Sequence, residues 1–375
     1  MLIPRYYDNL DDYLTENKVL LILGPRQVGK TTLLKNFLQK TKLKCKLVSG
    51  ENIIVQDVLS SQNFDRIKEF AEGYDLLAID EAHKIKGVGL GLKIIVDNIP
   101  GIKVIATGSS SFELLGQTGE PLTGRKRTVM LFPVAQLELN KIYNKFELKE
   151  NLGDYLVFGS YPEVLTQKSR KRKIEILHEL TESYLLKDIL EFERIKGSRY
   201  LFNLLRMLAY QVGSQVSFNE LAQNLGVDVK TVARYIDLLK KSFILYEVQG
   251  YSRNLRKEIT KKSKYYFYDN GVRNALIANF NDLDLRNDVG ALWENFIFVE
   301  RLKKREYKGI FANVYFWRTW DKQEIDLIEE REGKLFAYEI KWSKRKVKVP
   351  SQWKAAYRDG EFKVITRDNY LEFIL

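Results

Sequence analysis

A glycine-rich stretch near the amino terminus constrains the fold of this chain more than any other feature. A short apolar run, Lys18–Leu23, ends at Gly24, and the residues from Gly24 to Thr31 are Gly-Pro-Arg-Gln-Val-Gly-Lys-Thr. The residues that follow have the pattern of a helix. A strand, a glycine loop and a helix in this order cradle phosphate, because backbone N–H groups surround the anion and the helix points its positive end at it. The pattern therefore predicts an α/β domain that binds a nucleotide.

The side chains of this loop predict the chemistry of the site. Gly24 and Gly29 allow the backbone to curl around the β-phosphate, and Lys30 is expected to reach the β- and γ-phosphates. The hydroxyl of Thr31 is expected to bind Mg²⁺, and Thr32 completes the expected nucleotide-binding residues. The alternative, an ordinary turn from strand to helix, rarely has this spacing. The sequence therefore predicts ATP and Mg²⁺ as cofactors.

A second segment, Tyr74–Glu81, predicts a buried strand that ends in two adjacent acids. Asp80 is expected to hold Mg²⁺, directly or through water, and Glu81 to orient and polarise the attacking water. His83 follows in an order that superficially matches a helicase motif. The other helicase motifs are missing, so we interpret His83 as an ordinary loop or helix residue.

The next apolar run, Ile102–Thr107, ends in Gly108 and three serines. A polar side chain at the end of the strand beside the acidic strand can sense the γ-phosphate or its water. We expect Ser109 or Ser110 to have this role. A serine here can also cap the following helix, and the two roles are compatible.

Two arginines precede another extended run, Thr128–Phe132. Arg125 is expected to stabilise charge in the transition state, in cis or from a neighbouring subunit, and Arg127 is the weaker candidate. The alternative for both is a solvated basic turn.

These motifs, together with a turn at Leu131–Pro133, resemble those of AAA-superfamily ATPases that are joined to a domain of unknown function and are widespread in bacteria and archaea. The resemblance covers nearly the whole chain. It implies an ASCE-type P-loop core, and it does not supply a substrate.

The middle of the chain is predicted to be helical from about Asn140, and it contains a basic run, Lys168–Lys173, that fits either a solvated helix start or a phosphate contact. Further on, Ser217 precedes a short helix, Gly226 marks a turn, and a second helix follows. This order predicts a helix-turn-helix. Val232, Ile236 and Leu239 are expected to face inward on the second helix.

Two strands are predicted after these helices, Phe243–Val248 and Lys264–Tyr268, with a basic loop between them. Two helices and such a hairpin form a winged helix. A DNA-binding role would place Lys230, Thr231 and Arg234 near a groove and the loop cations, Arg256 and Lys257, on phosphates. Winged helices also dock proteins, and the sequence leaves that alternative open.

Near the carboxyl terminus, a helix that contains Glu294 precedes three predicted strands, Asn313–Trp317, Gln323–Glu329 and Lys334–Trp342. The second strand carries Asp326 between apolar residues. The third carries Glu339 and Lys341, which share a face because the period of a strand is two. An acid on one strand and Glu-x-Lys on the next resemble the restriction-endonuclease-like, PD-(D/E)xK fold.

The resemblance implies a role for each of these groups. Asp326 and Glu339 would bind Mg²⁺ or Mn²⁺, the carbonyl of Ile340 would add a ligand, and Lys341 would position water against a phosphodiester. Glu294 would complete the acidic site. The proline that precedes the first acid in the family pattern is absent here. The alternative is an exposed hairpin in which acids and bases alternate by accident.

Composition limits the classes of partner. The chain has 61 Lys and Arg against 49 Asp and Glu, a formal net charge of +12, which favours an anionic partner such as DNA. A lysine-rich solvated surface is the simpler alternative. One cysteine, Cys45, cannot form an intrachain disulfide, and two histidines are too few for a Cys/His zinc site. No apolar run approaches a membrane span, so we expect a cytoplasmic protein with no membrane partner.

A length of 375 residues predicts several domains. The expected layout is α/β: a P-loop AAA-type ATPase core at residues 1–140, a helical lid at 141–198, a winged helix at 199–269 and a PD-(D/E)xK nuclease-like domain at 270–375.

The leading hypothesis for function is a Mg²⁺-dependent ATPase that couples its nucleotide state to a DNA-engaging module, with endonuclease activity on structured or branched DNA left open. The alternative is a signalling or defence switch whose winged helix and inactive nuclease fold bind protein partners. Small-molecule phosphotransfer is weaker because nothing resembles an acceptor pocket. A homo-oligomer would be compatible with an arginine shared between subunits.

Overall fold

The computed structural model describes residues 3–109, 122–185, 198–252, 262–343 and 347–375. The chain divides into two units. The P-loop unit comprises Pro4–Phe132 and Lys241–Phe243, and the carboxyl-terminal unit comprises Met1–Ile3, Pro133–Lys240 and Ile244–Leu375.

The P-loop unit is built on a parallel sheet of five strands. Its strands are β1 (Val19–Leu23), β2 (Cys45–Ser49), β3 (Leu76–Asp80), β4 (Lys103–Gly108) and β5 (Lys126–Met130), in the order β2-β3-β4-β1-β5. Its α-helices are Lys30–Lys40, Ile53–Ser60, Phe64–Ala71 and Val88–Asn98, with short 3₁₀ helices at Leu10–Tyr13 and Ala82–Lys84. This architecture confirms the predicted α/β fold class.

The sheet order determines which side chains can meet. The acidic strand β3 is not next to β1, because β4 lies between them and pairs with both. All of these strands are parallel, so their carboxyl ends open at one edge, where open α/β sheets bind ligands. Strand β1 is buried along its whole length, which explains its continuous apolar sequence.

The carboxyl-terminal unit combines many helices with a second sheet. The α-helices are Gln136–Leu139, Lys145–Glu150, Leu152–Phe158, Pro162–Leu165, Arg170–Glu179, Ser198–Tyr210, Phe218–Leu225, Val229–Lys241, Asn270–Leu276, Val289–Lys308, Ser351–Ala356 and Tyr370–Ile374. A π-helix at Leu180–Leu185 and a 3₁₀ helix at Leu283–Leu285 complete the helices described for this unit.

The second sheet has six strands. They are β6 (Leu245–Gly250), β7 (Lys264–Phe267), β8 (Asn313–Arg318), β9 (Glu324–Arg331), β10 (Lys334–Ile340) and β11 (Glu361–Ile365), in the order β11-β10-β9-β8-β6-β7. The β9–β10 hairpin is antiparallel and pairs Tyr338 with Leu327. This register brings the start of β9, with Asp326, to the end of β10, with Glu339.

The hairpin predicted for the winged helix is present, and it has a second connection. Strands β6 and β7 pair in antiparallel fashion, and β6 also pairs in parallel with β8 through Gln249 and Gly250. The hairpin and the strands of the predicted nuclease-like domain therefore belong to one sheet.

Asp269, at the predicted limit between these two domains, is a tightly bonded residue. Its carboxylate accepts hydrogen bonds from the backbone N–H of Ser160 at 2.7 Å and of Val272 at 3.1 Å. A Cβ on Gly159 would lie 2.0 Å from its Oδ1, and Gly159 has a φ of +72°, so only glycine fits there. Asp269 therefore joins the segment at Gly159 and Ser160 to the start of the helix Asn270–Leu276. The predicted domain limits stay a prediction.

Within the described ranges, no helix is both long enough and apolar enough to cross a membrane.

Candidate functional site

The loop after β1 has the backbone that its glycines predict. Gly24 has a φ of +151°, and a Cβ there would lie 1.9 Å from the carbonyl oxygen of Leu131. Gly29 has a φ of +94° and directly precedes the helix that begins at Lys30. The Lys30 ammonium is buried and donates to the carbonyls of Gly24 at 2.9 Å and Pro25 at 2.7 Å. The lysine side chain therefore lies against the loop that it is expected to serve.

Arg5 supports this loop from outside the motif. Its buried guanidinium donates one hydrogen bond to the carbonyl of Val28, inside the loop, and another to the carbonyl of Phe132 at 2.6 Å. Arg5 could not be predicted from the sequence, because a lone arginine near a terminus carries no signal of a contact so far along the chain.

Asp80 is the centre of the hydrogen bonds at the carboxyl edge of the sheet. The Thr31 hydroxyl donates to Oδ2 of Asp80 at 2.8 Å, and the Thr107 hydroxyl donates to Oδ1 at 2.6 Å. The backbone N–H of Glu81 in turn donates to the Thr107 oxygen at 3.0 Å. The two predicted Mg²⁺ ligands, Thr31 and Asp80, are thus brought together. Thr32 follows on the helix with an exposed side chain.

The hydroxyl on β4 that contacts the acidic strand is Thr107, not Ser109. Thr107 is fully buried and follows Ala106, the β4 partner of Ile79, so it lies opposite Asp80. The serines were the expected sensors because they follow the strand directly. Ser109 makes a different contact, and Ser110 lies outside the described residues.

His83 joins Glu81 to Ser109. The imidazole is buried, its Nδ1 lies 3.4 Å from Oε2 of Glu81, and its Nε2 lies 3.2 Å from Oγ of Ser109. Glu81 itself has a φ of +52°, a left-handed conformation directly after the strand that Asp80 ends. The interpretation of His83 as an ordinary loop or helix residue therefore missed a contact with the expected catalytic acid.

Arg125 is not brought to the P-loop of its own chain. It precedes β5, and its carbonyl accepts from the backbone N–H of Val19, the first residue of β1. The P-loop begins at the other end of β1, roughly 13 Å away at about 3.3 Å per residue. The Arg125 guanidinium pairs with Asp97. Arg127 donates to the carbonyl of Asp12 at 3.0 Å. Neither contact brings an arginine to the P-loop, and a catalytic role of Arg125 or Arg127, in cis or in trans, stays a prediction.

Asp326, Glu339 and Lys341 lie together at one end of the β9–β10 hairpin. The Lys341 ammonium lies 2.7 Å from Oε1 of Glu339 and 3.5 Å from Oδ2 of Asp326. The backbone N–H of Ile340 donates to the same Asp326 oxygen at 2.8 Å. Oε2 of Glu339 is buried and has no hydrogen-bond partner among the described residues.

Burial and neighbouring charges shift the pKa values of Glu339 and Lys341. Burial raises the pKa of Glu339, and the charge of Asp326 raises it further. Burial disfavours the ammonium of Lys341, but Asp326 and Glu339 outweigh this effect and raise the pKa of Lys341. Lys341 therefore remains a cation between two crowded carboxyl groups.

Glu294 lies near Asp326, and its carboxylate contacts Tyr266 and Lys264. Its Oε1 accepts from the Tyr266 hydroxyl at 2.7 Å and lies 3.4 Å from the Lys264 ammonium. Burial raises the pKa of Glu294 to about 7 despite the opposing charge of Lys264. Among the residues that the structure describes, no group of three or more Asp, Glu, His or Cys side chains is placed to hold a metal ion. This result does not support a metal centre of Glu294 with Asp326 and Glu339, and the role of Glu294 as a metal ligand stays a prediction.

Lys264 is a buried cation that sequence analysis did not assign to a site. Its side chain is 2% exposed, and its ammonium lies 2.6 Å from Oε1 of Glu324, in addition to its contact with Glu294. Burial opposes its charge, yet the two carboxylates raise the pKa of Lys264. The sequence feature that could have indicated this buried cation is a lysine at the start of an otherwise aromatic strand, Lys264–Phe267.

The two helices before β6 have the predicted packing. Val232, Ile236 and Leu239 are buried, whereas Lys230 and Arg234 are exposed. The hydroxyl of Thr231 donates to Oδ2 of Asp228 at 2.7 Å, so Thr231 contacts the residue that directly precedes its helix. Arg256 and Lys257, the predicted phosphate contacts of the hairpin loop, lie outside the described residues.

The basic run Lys168–Lys173 is partly neutralised within the unit. Arg170, Arg172 and Lys173 lie 2.8, 3.2 and 2.5 Å from carboxylate oxygens of Asp282, Glu175 and Asp154, respectively. These ion pairs favour the simpler interpretation, a solvated helix start.

Comparison with known families separates the parts of the chain. Residues 16–140 match the family described as AAA domain. The amino-terminal part of this chain is a P-loop ATPase of the AAA type. Beyond this AAA-type ATPase domain, residues 149–283 match a domain of unknown function, DUF8612, and residues 289–368 match another, DUF4143.

Other proteins are similar over most of this chain. An uncharacterised protein of Mycobacterium tuberculosis is 26% identical over 329 residues, which cover 86% of this chain and 70% of that protein. An uncharacterised protein of Haemophilus influenzae is 23% identical over 360 residues, covering 90% of this chain and 85% of that protein. Among solved structures, a Walker-type ATPase of Pyrococcus abyssi is similar, with 19% identity, a TM-score of 0.46 and coverage of 70% of this chain and 91% of that one.

The position of Arg125 in the ATPase domain leads to a prediction about subunits. Arg125→Ala is expected to slow ATP hydrolysis by about 10²-fold while ATP binding is retained, because an arginine that acts on transition-state charge contributes little to ground-state binding. Mixing this variant with Lys30→Ala should restore hydrolysis in shared oligomers, since each variant supplies what the other lacks. Full activity of Arg125→Ala alone would exclude an arginine finger at this position.

Proposed function

We propose that this chain is a Mg²⁺-dependent ATPase that uses its nucleotide state to control a DNA-engaging carboxyl-terminal part. The observation that carries the proposal is the convergence on Asp80. Hydroxyls from the P-loop helix and from β4 both donate to its carboxylate, at 2.8 and 2.6 Å. Nucleotide-bound Mg²⁺ requires oxygen ligands such as the Thr31 hydroxyl and the Asp80 carboxylate. Both lie next to the glycine loop that carries Lys30, which is expected to bind the phosphates.

Each residue has a separate task in this proposal. The loop N–H groups and Lys30 bind the phosphates, and Thr31 and Asp80 hold Mg²⁺, which offsets charge on the phosphate oxygens when bound. Thr107 keeps the Asp80 carboxylate in one orientation through its hydrogen bond. Glu81 accepts a hydrogen bond from the attacking water and orients it.

His83 is a positioning residue for Glu81 in this scheme. Its buried ring lies between Glu81 and Ser109, at 3.4 and 3.2 Å. A buried ring this close to the Glu81 carboxylate, with Nε2 bonded to Ser109, restricts the rotamers that the carboxylate can adopt.

Replacement of His83 tests this role. His83→Phe is expected to lower kcat for ATP hydrolysis about tenfold, with an unchanged KM, because phosphate binding does not involve the ring. Ser109→Ala should change kcat in the same direction and less strongly. His178→Phe, at the only other histidine, is the matched control. A rise in KM that matches the fall in kcat, or an unchanged kcat, would contradict positioning of the catalytic acid.

DNA engagement is supported by charge and exposure. The chain has a net charge of +12, and Lys230 and Arg234 are exposed on the second helix of the helix-turn-helix. Long-range attraction from such an excess favours polyanionic partners.

Phosphodiester cleavage is the second candidate, and a specific observation favours it. Asp326 and Glu339 face one lysine, and a buried oxygen of Glu339 has no hydrogen-bond partner in the described part of the chain. A carboxylate oxygen in this state fits a divalent cation, which Asp326 and Glu339 would hold. The cation would polarise the phosphodiester, and Lys341 would position water beside it.

One experiment tests the whole function. Full-length protein is incubated with supercoiled, linear and branched DNA, with Mg²⁺ or Mn²⁺, and with ATP or a non-hydrolysable analogue. ATP hydrolysis is expected only with the divalent ion, and DNA affinity should differ between ATP and its analogue and fall with salt. Lys30→Ala is the control, because it should remove the nucleotide dependence. Absence of DNA binding at low salt would favour the switch that binds protein partners.

A further inference from the structure

We propose that one exposed face of the helix Ser198–Tyr210 binds single-stranded DNA. This aromatic-basic face consists of Arg199, Tyr200, Arg206 and Tyr210. The inference rests on the proposed DNA engagement and gives it a surface and a form of DNA, separate from the helix that carries Lys230 and Arg234.

The spacing along the helix creates the face. Arg206 lies seven residues after Arg199, and Tyr210 lies eleven residues after it. At 3.6 residues per turn, these three side chains form one stripe about 16 Å long. Tyr200 lies beside this stripe. The opposite side of the helix is fixed in the core by buried leucines such as Leu204 and Leu208, so the aromatic-basic face cannot turn inward.

The face borders an open groove. The groove has a volume of about 600 Å³, and its lining includes the four residues of the face together with Asn203 and Asn224. The rings of Tyr200 and Tyr210 are 43% and 64% exposed. Two large rings in water, at opposite ends of a groove with amide groups between them, suit planar ligands that also form hydrogen bonds.

Charge identifies the partner as an anion. Among the described residues, no carboxylate lines the groove, and neither Arg199 nor Arg206 has an ion-pair or hydrogen-bond partner. The basic run Lys168–Lys173 differs, because three of its cations face acids. Free guanidinium groups bind phosphate oxygens in a planar, two-pronged geometry.

The tyrosines identify the anion as single-stranded DNA. A ring can stack on a base only if that base is not covered by its neighbours, as in a single strand. A duplex would offer phosphates to the arginines and leave the tyrosines unused. An acidic peptide would likewise use only the arginines.

The test measures binding of a labelled short oligothymidylate to the full chain by fluorescence anisotropy, with a hairpin duplex and an oligoglutamate peptide as other ligands. Tyr200→Ala and Tyr210→Ala are each expected to weaken oligothymidylate binding about tenfold. Tyr210→Phe should bind like the wild type, because it keeps the ring. Arg199→Ala with Arg206→Ala should reduce the slope of log affinity against log salt by about 1.4, for two lost phosphate contacts.

Matched controls remove rings or charges elsewhere. Phe311→Ala removes a ring that is 92% exposed, and Lys171→Ala with Lys363→Ala removes two exposed cations. These controls should bind like the wild type. ATP hydrolysis without DNA should be the same in all variants, which shows that they fold.

Three results would overturn the inference: unchanged oligothymidylate binding in the tyrosine variants, equal affinity for the hairpin duplex, or equal affinity for oligoglutamate. If the wild type binds duplex DNA and the face variants leave single-strand binding unchanged, this inference fails and the proposed function stands. If the face binds oligothymidylate but nucleotide state has no effect on DNA, the inference stands and the proposed coupling fails. If no DNA binds even at low salt, both fail.

Discussion

Glu81→Gln is expected to bind ATP as tightly as the wild type and to hydrolyse it about 10³-fold more slowly, because the change removes only the carboxylate that orients and polarises water. The amide keeps the size of the side chain, and Lys30, Thr31 and Asp80 keep their own contacts. Nucleotide titration and phosphate release under single-turnover conditions measure the two effects separately.

Two further variants make this expectation specific. Lys30→Ala removes the positive charge that contacts the phosphates, so this variant should bind ATP more weakly. The two variants should therefore differ in the step that fails: binding in Lys30→Ala and hydrolysis in Glu81→Gln. Glu72→Gln changes an exposed acid of the same unit and should behave like the wild type. Normal turnover in Glu81→Gln would remove the proposed role of Glu81, and weakened ATP binding would show that the carboxylate acts in the ground state.

The sequence predicts those parts of the ATPase site whose residues all lie within one short segment of the chain. The loop Gly24–Thr31 contains its own strand end, glycines and helix start, so its backbone follows from local rules. Asp80 and Glu81 are found because a buried strand must end at the ligand edge of a parallel sheet.

The contacts that sequence missed depend on which strands are neighbours. Thr107 reaches Asp80 only because β4 lies beside β3, with Ile79 paired to Ala106. Arg5 reaches the loop carbonyl of Val28 from a separate segment. One sequence reveals the strands but not their order, so a buried threonine at a strand end looks like any other.

The carboxyl-terminal unit shows the same limit on a larger scale. The hairpin register follows from alternation along β9 and β10, which is why Glu339 and Lys341 share a face and meet Asp326. The parallel pairing of β6 with β8 was not foreseen. That pairing joins two predicted domains in one sheet. In addition, the buried cation on β7, Lys264, forms an ion pair with Glu294, a residue that was expected to bind a metal ion.

Asp326→Asn, Glu339→Gln and Lys341→Met are each expected to abolish Mg²⁺- or Mn²⁺-dependent nicking of supercoiled DNA and to leave ATP hydrolysis unchanged. The first two remove the carboxylates that would hold the cation, and the third removes the group that positions water. Plasmid relaxation on gels and phosphate release measure the two activities. Glu361→Gln, which changes an exposed acid on β11, is the matched control and should cut normally.

Thermal unfolding of these variants distinguishes a catalytic cluster from a structural one. In the structure, two carboxylates share one ammonium, and a buried oxygen of Glu339 lacks a hydrogen-bond partner in the described ranges. Taking such a charge out of water costs more than one shared ion pair returns, so Glu339→Gln should leave the Tm unchanged or raise it. A cluster retained for stability would instead lose several degrees. If Glu339→Gln lowers the Tm, and Mn²⁺ at millimolar concentration neither binds the wild type nor supports nicking, then Asp326, Glu339 and Lys341 hold the sheet together and the unit acts by binding alone.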